Sequence, residues 1–317
     1  QEIKKHPKLS LQLAVTGMHL LKKYGYTIDL IKKDGFKIDS IVKMYLEENE
    51  SIEVLGNAFT NGVKGFTKEL SRLSPDILLV LGDRLEPFSA VCAASWLKIP
   101  VAHIHGGDKT SPEHIDEHIR HAITKLSHIH FPATKKSAER ILAMNEKKWR
   151  IFTAGSPAVD DIFSQHIMDK KKVFKKFSLD ENSKLAVCVQ HPTSATAGES
   201  GKIMELIIDV LKELQLQTIL IYPNNDNGSR QIIEVIEKNK NVLFFHVYKN
   251  IERFYYLSLL KNSDVMLGNS SSGIIDTPAL KIPFVHIGER NKGRECGKNV
   301  LFIGHSKSEI KKAILKT

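Results

Sequence analysis

The chain has 317 residues, of which 42% are hydrophobic and 26% are charged, and it carries a formal net charge of +10 at pH 7. This composition is typical of a folded globular protein and excludes a disordered or fibrous one. No apolar run approaches the ~18 residues of a membrane-spanning helix, and the length predicts two domains. The positive charge favours an anionic partner, and a nucleotide, a polynucleotide or an acidic lipid surface would each satisfy it.

The three cysteines, Cys92, Cys188 and Cys296, are odd in number and lie far apart in the sequence. They therefore build neither a disulfide framework nor a Cys-x-x-Cys metal or redox site. A reducing, cytoplasmic location fits this cysteine content best.

The amino end, residues 1–6, is typical of the last part of a helix, and we expect further chain upstream of Gln1. From there, apolar runs of strand length alternate with amphipathic helical stretches. This alternation predicts βα units and parallel sheets, and the near-continuous apolar character of the runs predicts strands that helices cover on both faces. The predicted strands are residues 9–16, 76–82, 101–105, 128–132, 151–155, 185–190, 218–222, 242–246, 265–268 and 284–287.

A lysine-rich helical stretch, residues 160–179, separates the first group of predicted strands from the second. We place the domain boundary there, with one domain at residues 1–165 and the other at residues 166–317. The predicted fold class is α/β, with two Rossmann-like domains whose parallel sheets face each other across a cleft. Polar residues follow the carboxyl ends of several strands, which is the edge at which ligands bind in open α/β sheets.

An Asn-Ser-Ser-Ser-Gly string at residues 269–273 lies between a buried strand and a predicted helix. Hydroxyls and backbone N–H groups at a helix amino terminus suit a phosphate group, although a serine cap without any ligand is the alternative. His191 and Arg290 follow other strands and offer donors to the same anion. The sequence has neither a Walker lysine nor a Gly-x-Gly-x-x-Gly string, which disfavours an ATP-hydrolysing P-loop and a dinucleotide site.

Two further groups of charged residues are candidates for chemistry. One strand is followed by Asp83, Arg84 and Glu86. Either these residues form a structural ion pair, or the two carboxylates are placed for proton transfer. Asp116 and Arg120 lie one turn apart on a predicted helix, so they can pair as i, i+4 neighbours.

Histidines are concentrated near the third predicted strand, where His103 and His105 lie on one face. With Asp108 nearby, this is admissible chemistry for a metal site. No His-Glu-x-x-His string or cysteine-rich motif completes such a site, so we predict no metal and favour acid or base roles for individual histidines.

Four strings carry a resemblance to a known family. They are Leu-Gly-Asp-Arg at 81–84, Ala-His-Ile-His-Gly-Gly at 102–107, Ile-Asp-Glu-His-Ile-Arg-His-Ala-Ile-Thr-Lys-Leu-Ser at 115–127, and Leu-Gly-Asn-Ser-Ser-Ser-Gly at 267–273. Together they resemble the UDP-N-acetylglucosamine 2-epimerase family over nearly the whole chain. Within that family, the string at 119–125 is similar to the hydrolysing branch that feeds sialic acid synthesis.

The resemblance implies a glycosyltransferase-B-like pair of Rossmann-type domains. It also implies the reaction of UDP-N-acetylglucosamine with water to give UDP and N-acetylmannosamine. In the family, UDP leaves by elimination across C1 and C2 of the sugar, and water then adds to the resulting glycal with protonation of the other face of C2. The chemistry needs no cofactor, and we expect a homodimer or homotetramer.

The resemblance also implies roles for individual residues. Asp83 and Asp116 match carboxylates implicated in proton transfer, and Arg84 and Arg120 occupy supporting places. The positions matched to UDP put serines and a histidine on the phosphates and an aspartate on the ribose hydroxyls; they are His191, Asn224, Ser270, Ser271, Asp276 and Arg290.

The chain departs from the family pattern at its third strand, because well-known members have glutamate where this chain has His105. We expect His105 to act as a base with Asp83, or to leave that task to Asp83 or Asp108. The loop at 108–114 is longer than in those members. The family also begins with a strand and an arginine-containing loop that reaches the nucleotide; we expect this chain to start after both, with an incomplete first sheet.

Other functions remain open from the sequence. Some hydrolysing relatives act on a UDP-linked 2,4-diacetamido-2,4,6-trideoxy sugar, and a retaining glycosyltransferase can use the same scaffold, since a fold does not fix a function. A nucleic-acid-binding module would explain the net charge of +10, but aromatic residues make up only 7% of the chain and do not interleave with the basic clusters. We therefore expect a UDP-sugar as the partner, and neither nucleic acid nor membrane.

Overall fold

The computed structural model describes residues 2–46, 52–110, 115–164, 167–193 and 196–317. The protein is an α/β protein with two sets of parallel strands, which confirms the predicted α/β class and the parallel sheets. Two compact units are present: one comprises Gln1–Gly107 and Ile119–Ala154, and the other comprises Asp108–His118 and Gly155–Thr317. The domains predicted at residues 1–165 and 166–317 stay a prediction.

The first unit contains two small parallel sheets. Strands β1 (Ala14–Thr16) and β2 (Ser40–Val42) form one, and β3 (Leu78–Leu81), β4 (Val101–Ile104) and β5 (Ile129–Phe131) form the other, in that order. The helices are α1 (Glu2–Lys5), α2 (Ile28–Lys33), α3 (Ile52–Leu73), α4 (Leu85–Trp96), α5 (Ile115–Leu126), whose first turn belongs to the second unit, and α6 (Lys135–Ala143).

The core of the first unit lies between its helices and strands. Phe66 of α3 and Val91 of α4 pack with Val80 and Val101 of the sheet. The alanines on the buried face of α4 let that helix approach closely, and burying such apolar surface stabilises the fold by roughly 25 cal/mol per Å².

The second unit is built on one parallel sheet. Its strands are β6 (Leu185–Val189), β7 (Gln217–Ile221), β8 (Phe245–Tyr248), β9 (Val265–Gly268), β10 (Phe284–Ile287) and β11 (Val300–Ile303), and they lie in the order β11-β10-β9-β6-β7-β8. Its helices are α7 (Pro157–Ser164), α8 (Lys170–Phe177), α9 (Ser200–Glu213), α10 (Ser229–Lys238), α11 (Arg253–Lys261), α12 (Ser272–Leu280) and α13 (Lys307–Lys316).

Side chains of this sheet alternate between two apolar cores. Val187 and Val189 of β6 pack into one core, whereas Ala186 and Cys188 pack into the other. Both faces of the strand are therefore covered, as the near-continuous apolar runs predicted. The chain proceeds outward from β6 through β7 to β8 and then returns to place β9 on the other side of β6. In open α/β sheets, such a reversal of strand order opens a crevice at the carboxyl ends of the two strands.

One predicted strand is absent, and two observed strands were not predicted. The run 151–155 is not a strand, and only Ile151 pairs, in a single bridge with His130; Phe152 in this run is 53% exposed, so the run lacks the burial of a central strand. Strand β2 begins with a polar residue, which hid it from a search for apolar runs. Strand β11 was missed although its four residues are all apolar, and it is only partly buried. Within the described ranges, no helix combines the length and apolarity that crossing a membrane requires.

Candidate functional site

The carboxyl ends of β6 and β9 are joined by a pair of hydrogen bonds. The His191 backbone N–H donates to Asn269 Oδ1 at 2.7 Å, and Asn269 Nδ2 donates to the His191 carbonyl at 2.8 Å. Gly268, with φ +113°, makes this approach feasible, because a Cβ there would lie 2.1 Å from the Val189 carbonyl oxygen. The residues predicted to bind phosphate thus lie at the reversal of strand order.

The His191 ring is held in one tautomer. Its Nδ1 accepts a hydrogen bond from the Asn224 backbone N–H at 3.2 Å. The ring proton of the neutral imidazole is therefore on Nε2, which is the donor that a phosphate oxygen requires. Asn224 follows β7, and its carbonyl accepts a hydrogen bond from Ser229 Oγ at the start of α10.

The amino end of α12 provides hydroxyl and N–H groups next to this pair. Ser271 immediately precedes the helix, and Ser270 Oγ accepts a hydrogen bond from the Ser272 N–H at 3.3 Å. Gly273 lets the helix pack closely against β10, because a Cβ there would lie 2.3 Å from the Phe284 ring. Donors at a helix amino end suit an anion.

Asp276 in α12 is already engaged within the protein. Its side chain is 3% exposed and accepts hydrogen bonds from Arg253 Nη1 at 2.7 Å, Arg253 Nη2 at 2.9 Å and Ser272 Oγ at 2.6 Å. Burial lowers the pKa of Arg253, but Asp276 and Asp161 outweigh burial and raise that pKa above its usual value. The predicted contact of Asp276 with ribose hydroxyls stays a prediction, and Arg253 is a functional candidate that the sequence did not indicate.

Arg290 lies between Asn269 and the carboxylate of Asp116. Its Nη1 donates to the Asn269 carbonyl at 3.4 Å, and its Nη2 lies 3.8 Å from Asp116 Oδ2. Asp116 lies in the first turn of α5. Two predicted site residues from distant parts of the sequence are thus close in space.

A second arginine, Arg294, lies near the first. Its Nη2 donates to Asp108 Oδ2 at 3.0 Å and its Nη1 donates to Asn291 Oδ1 at 3.2 Å. The Nε atoms of Arg290 and Arg294 are both buried and have no hydrogen-bond partner among the residues that the structure describes. A buried donor without a partner is costly, so these two atoms favour a bound acceptor.

In the first unit, Asp83 pairs with Arg120. Arg120 Nε donates to Asp83 Oδ2 at 2.9 Å, and Nη2 of the same arginine donates to the same oxygen. The guanidinium is 1% exposed, whereas the carboxylate is 20% exposed. Beside it, Arg84 Nε lies 3.4 Å from Glu86 Oε2, so this pair is present as the ion pair that the sequence allowed.

His103 and His105 differ in surroundings. His103 Nε2 donates to the Gly82 carbonyl at 2.8 Å, and burial lowers the pKa of His103 to about 4, so the ring is neutral. His105 lies just past β4 with φ +67°, and its N–H donates to the Phe131 carbonyl at 3.1 Å. In the described ranges, no cluster of three or more His, Cys, Asp or Glu side chains suits a metal ion.

The predicted site residues therefore form two groups. The first unit holds Asp83, Arg84, His105 and Arg120. The second unit holds the others and adds four polar residues that sequence patterns missed; they are Arg253, Asn269, Asn291 and Arg294. Asn269 was quoted in the serine-rich string but not assigned a role, whereas Asn291 and Arg294 have no local signal apart from the charge of their segment.

Comparison with known proteins identifies relatives over nearly the full chain. The family model described as UDP-N-acetylglucosamine 2-epimerase matches residues 1–317. A Legionella pneumophila protein named UDP-N,N'-diacetylbacillosamine 2-epimerase (hydrolyzing) is 36% identical over 92% of this chain and 77% of its own length. The Escherichia coli polysialic acid biosynthesis protein P7 is 34% identical over 98% of this chain and 80% of its own. A UDP-N-acetylglucosamine 2-epimerase of Neisseria meningitidis serogroup B is 31% identical over 98% and 81%.

Solved structures agree on the fold. The crystal structure of UDP-GlcNAc 2-epimerase from Neisseria meningitidis bound to UDP-GlcNAc superposes with a TM-score of 0.80 at 22% identity, covering 99% of this chain and 85% of that one. A putative UDP-N-acetylglucosamine 2-epimerase from Listeria monocytogenes gives 0.77 at 19% identity, covering 100% and 82%. On the family match and the relatives above 30% identity, the chain belongs to the UDP-N-acetylglucosamine 2-epimerase family.

Proposed function

We propose that this protein is a hydrolysing UDP-N-acetylglucosamine 2-epimerase that converts its substrate and water into UDP and N-acetylmannosamine. A base removes the proton from C2 of the sugar, the C2–H electrons form a C1–C2 double bond, and UDP departs with the C1–O electrons. Water then adds its hydroxyl to C1, and a proton reaches C2 on the opposite face. Three relatives named as 2-epimerases or as a polysialic acid biosynthesis protein support this reaction.

One observation carries the proposal. Asp116, a predicted proton-transfer carboxylate, lies 3.8 Å from the guanidinium of Arg290, and Arg290 donates to the carbonyl of Asn269. Asn269 immediately precedes Ser270 and Ser271 at the amino end of α12. A group able to transfer a proton is thus adjacent to donors suited to a diphosphate, which is the combination that an elimination of UDP requires.

The donors around β6 and β9 support a diphosphate as the bound anion. The second unit contains His191 Nε2, the hydroxyls of Ser270 and Ser271, and the Nε of Arg290, which is buried without a partner among the described residues. Negative charge grows on UDP as the C1–O bond breaks, and fixed donors lower the free energy of that transition state. We assign Asn224 to orienting His191.

We assign the remaining proton transfer to His105 acting with Asp83, with Arg84 and Arg120 in support. His105 has the buried, strand-end position that a base requires, and Asp83 is fixed in orientation by Arg120 while its carboxylate is partly exposed. A fixed orientation reduces the entropy that proton transfer costs.

A second candidate substrate is UDP-N,N'-diacetylbacillosamine, a 2,4-diacetamido-2,4,6-trideoxy sugar nucleotide. The Legionella relative bears that name, and a Campylobacter jejuni relative named GDP/UDP-N,N'-diacetylbacillosamine 2-epimerase (hydrolyzing) is 31% identical over 95% of this chain. The chemistry at C1 and C2 is the same for both sugars, so the assigned residues keep their roles.

Proton NMR in deuterated water tests the proposal. The protein is incubated separately with each sugar nucleotide and without any acceptor. We expect free UDP and the 2-epimerised sugar with deuterium at C2, formed faster from UDP-N-acetylglucosamine. Faster turnover of the diacetamido sugar would favour the second candidate. No release of UDP or free sugar from either nucleotide would contradict hydrolysing epimerisation and favour a glycosyltransferase.

We further propose that the protein works in the cytoplasm as a homodimer or homotetramer. Trp96 and Trp149 are 87% and 70% exposed, and large apolar side chains at such exposure favour burial in an oligomer. Sedimentation velocity at micromolar protein should give a dimer or tetramer, and a monomer at all concentrations would refute this assembly.

A further inference from the structure

Asp108 and Arg294 form an ion pair between distant parts of the sequence. Arg294 Nη2 donates to Asp108 Oδ2 at 3.0 Å, across 186 positions of the chain. Both side chains are largely buried, with 8% of Asp108 and 12% of Arg294 exposed. At this burial the pair is weakly screened by solvent, so the guanidinium strongly influences both the charge and the direction of the carboxylate.

A chain of hydrogen bonds orients Arg294. Asn291 Nδ2 donates to the Asn269 carbonyl at 2.8 Å and to His286 Nε2 at 3.1 Å. With both amide protons used, Asn291 Oδ1 accepts from Arg294 Nη1 at 3.2 Å. His286 is neutral and carries its proton on Nδ1, because Nδ1 donates to the Gly288 carbonyl at 3.1 Å.

The backbone also favours this arrangement. Gly293 has φ +87°, a conformation that glycine adopts at little cost, and it forms the turn that precedes Arg294. On the other side of Asp108, Glu117 Oε2 accepts hydrogen bonds from the Thr110 N–H at 2.7 Å and from Thr110 Oγ1 at 2.9 Å. Arg294 therefore holds the Asp108 carboxylate, and Glu117 holds the chain two residues further on at Thr110.

We propose that Arg294 is a positioning residue for the reaction, which holds Asp108 ionised and directed so that its carboxylate accepts a hydrogen bond from the sugar of the substrate. The inference rests on the proposed function. The guanidinium of Arg294 fixes the direction of the Asp108 carboxylate, and an ionised carboxylate is a strong acceptor for a hydrogen bond from a sugar hydroxyl. Arg294 acts through Asp108 and does not touch the reacting atoms.

The test compares Arg294→Ala, Arg294→Lys and the control Arg72→Ala. Arg72 also pairs with a carboxylate, Glu69 at 2.6 Å, but it is 53% exposed and belongs to α3 of the first unit. For each variant, kcat and KM are measured by UDP release from UDP-N-acetylglucosamine across a range of pH. UDP affinity is measured by calorimetry, and turnover is repeated with added guanidinium ions.

For Arg294→Ala we expect kcat/KM to fall roughly 100-fold, as is usual when one partner of a buried charged pair is removed, while the Kd for UDP changes less than about threefold. Guanidinium ions should restore at least about tenfold of the lost rate, because they replace the missing cation. The acidic limb of the kcat/KM profile should move to higher pH, since Asp108 loses the charge that favours its ionised form. Arg72→Ala should match the wild type and show no rescue.

Several results would overturn the inference. The first is a wild-type kcat/KM for Arg294→Ala, and the second is a lack of guanidinium rescue in a folded variant. The third is a loss of UDP affinity equal to the loss of kcat/KM, which would make Arg294 part of the phosphate site. If Arg294→Ala does not fold, Arg294→Lys decides by the same comparison of kcat/KM with UDP affinity. Wild-type protein without any turnover would remove the proposed function and this inference together, whereas wild-type turnover with an unimpaired variant removes the inference alone.

Discussion

Each of the two units contains an arginine that donates two hydrogen bonds to an aspartate, but the two pairs differ in which member is exposed. In the first unit, Arg120 is 1% exposed and its partner Asp83 is 20% exposed. In the second unit, Asp276 is 3% exposed and its partner Arg253 is 37% exposed. The member of an ion pair that remains exposed sets the sign of the charge that a ligand meets.

This difference agrees with the roles proposed for the two units. The first unit presents a carboxylate at the end of β3, which suits proton transfer. The second unit presents guanidinium groups near α12, and Arg290 adds a buried Nε donor there. A diphosphate binds to the positive side of such pairs. Because Arg253 is more exposed than Asp276, Arg253 is the member of this pair that a ligand can reach.

The largest expected effect is on the free energy of unfolding, which should fall by different amounts when the aspartate of each pair is replaced. Asp83→Asn removes a counter-charge from the fully buried Arg120 and should lower the free energy of unfolding by about 3 to 5 kcal/mol. Asp276→Asn leaves an arginine that reaches solvent and should cost about 1 to 2 kcal/mol. Urea unfolding measures both, and Asp29→Asn is the control, because its pair with Lys32 is exposed and should cost less than about 0.5 kcal/mol. Equal losses of unfolding free energy for Asp83→Asn and Asp276→Asn would contradict the difference between the two pairs.

A smaller effect tests the carboxylate side of the first unit. His105→Gln keeps a polar side chain but removes the titrating group, so turnover should fall about 100-fold while UDP affinity stays unchanged. Deuterium entry at C2 of the product, measured by NMR, should slow in parallel. A variant with wild-type turnover and wild-type deuterium entry would remove His105 from proton transfer and leave that role to Asp83 or Asp108.

The smallest expected effect comes from one neutral histidine in each unit. Burial lowers the pKa of His103 and of His286 to about 4. The unfolded chain binds these protons below about pH 6.5, and the folded protein does not until about pH 4, so the stabilisation is complete above pH 6.5 and is lost as the pH falls. Each histidine should cost about 2 kcal/mol of unfolding free energy between pH 7 and pH 5. The variant His103→Gln should lose about 2 kcal/mol less than the wild type over this range in urea titrations; an equal loss would refute the contribution of His103.

Sequence patterns predicted the fold where burial is complete. The strands Val265–Gly268 and Phe284–Ile287 were predicted to the residue, because every residue in them is buried and their apolar runs are unbroken. Strand Ser40–Val42 begins with a polar residue and was missed. Strand Val300–Ile303 was also missed, although it is an unbroken apolar run of the same length; unlike the other two strands it is only partly buried. The strands that were predicted to the residue therefore lie in the buried cores of the second unit.

The site was predictable only as far as its residues lie in local strings. Asp83 and Ser270 follow apolar strands directly, so their position at a sheet edge was evident. The helical spacing allowed Arg120 to pair with Asp116, but the contact of Arg120 with Asp83, which lies 37 positions earlier, could not be read from either string. The pairing of Asp108 with Arg294 depends on tertiary structure alone, and no pattern within one segment reports it.

A crystal structure of the protein with UDP tests whether the end of β6 and the start of α12 bind the diphosphate. We expect phosphate oxygens within about 3.2 Å of His191 Nε2 and of the Ser270 and Ser271 hydroxyl or N–H groups. The Arg290 guanidinium should contact the diphosphate as well. A diphosphate bound away from these donors, with His191 and both serines unoccupied, would contradict it.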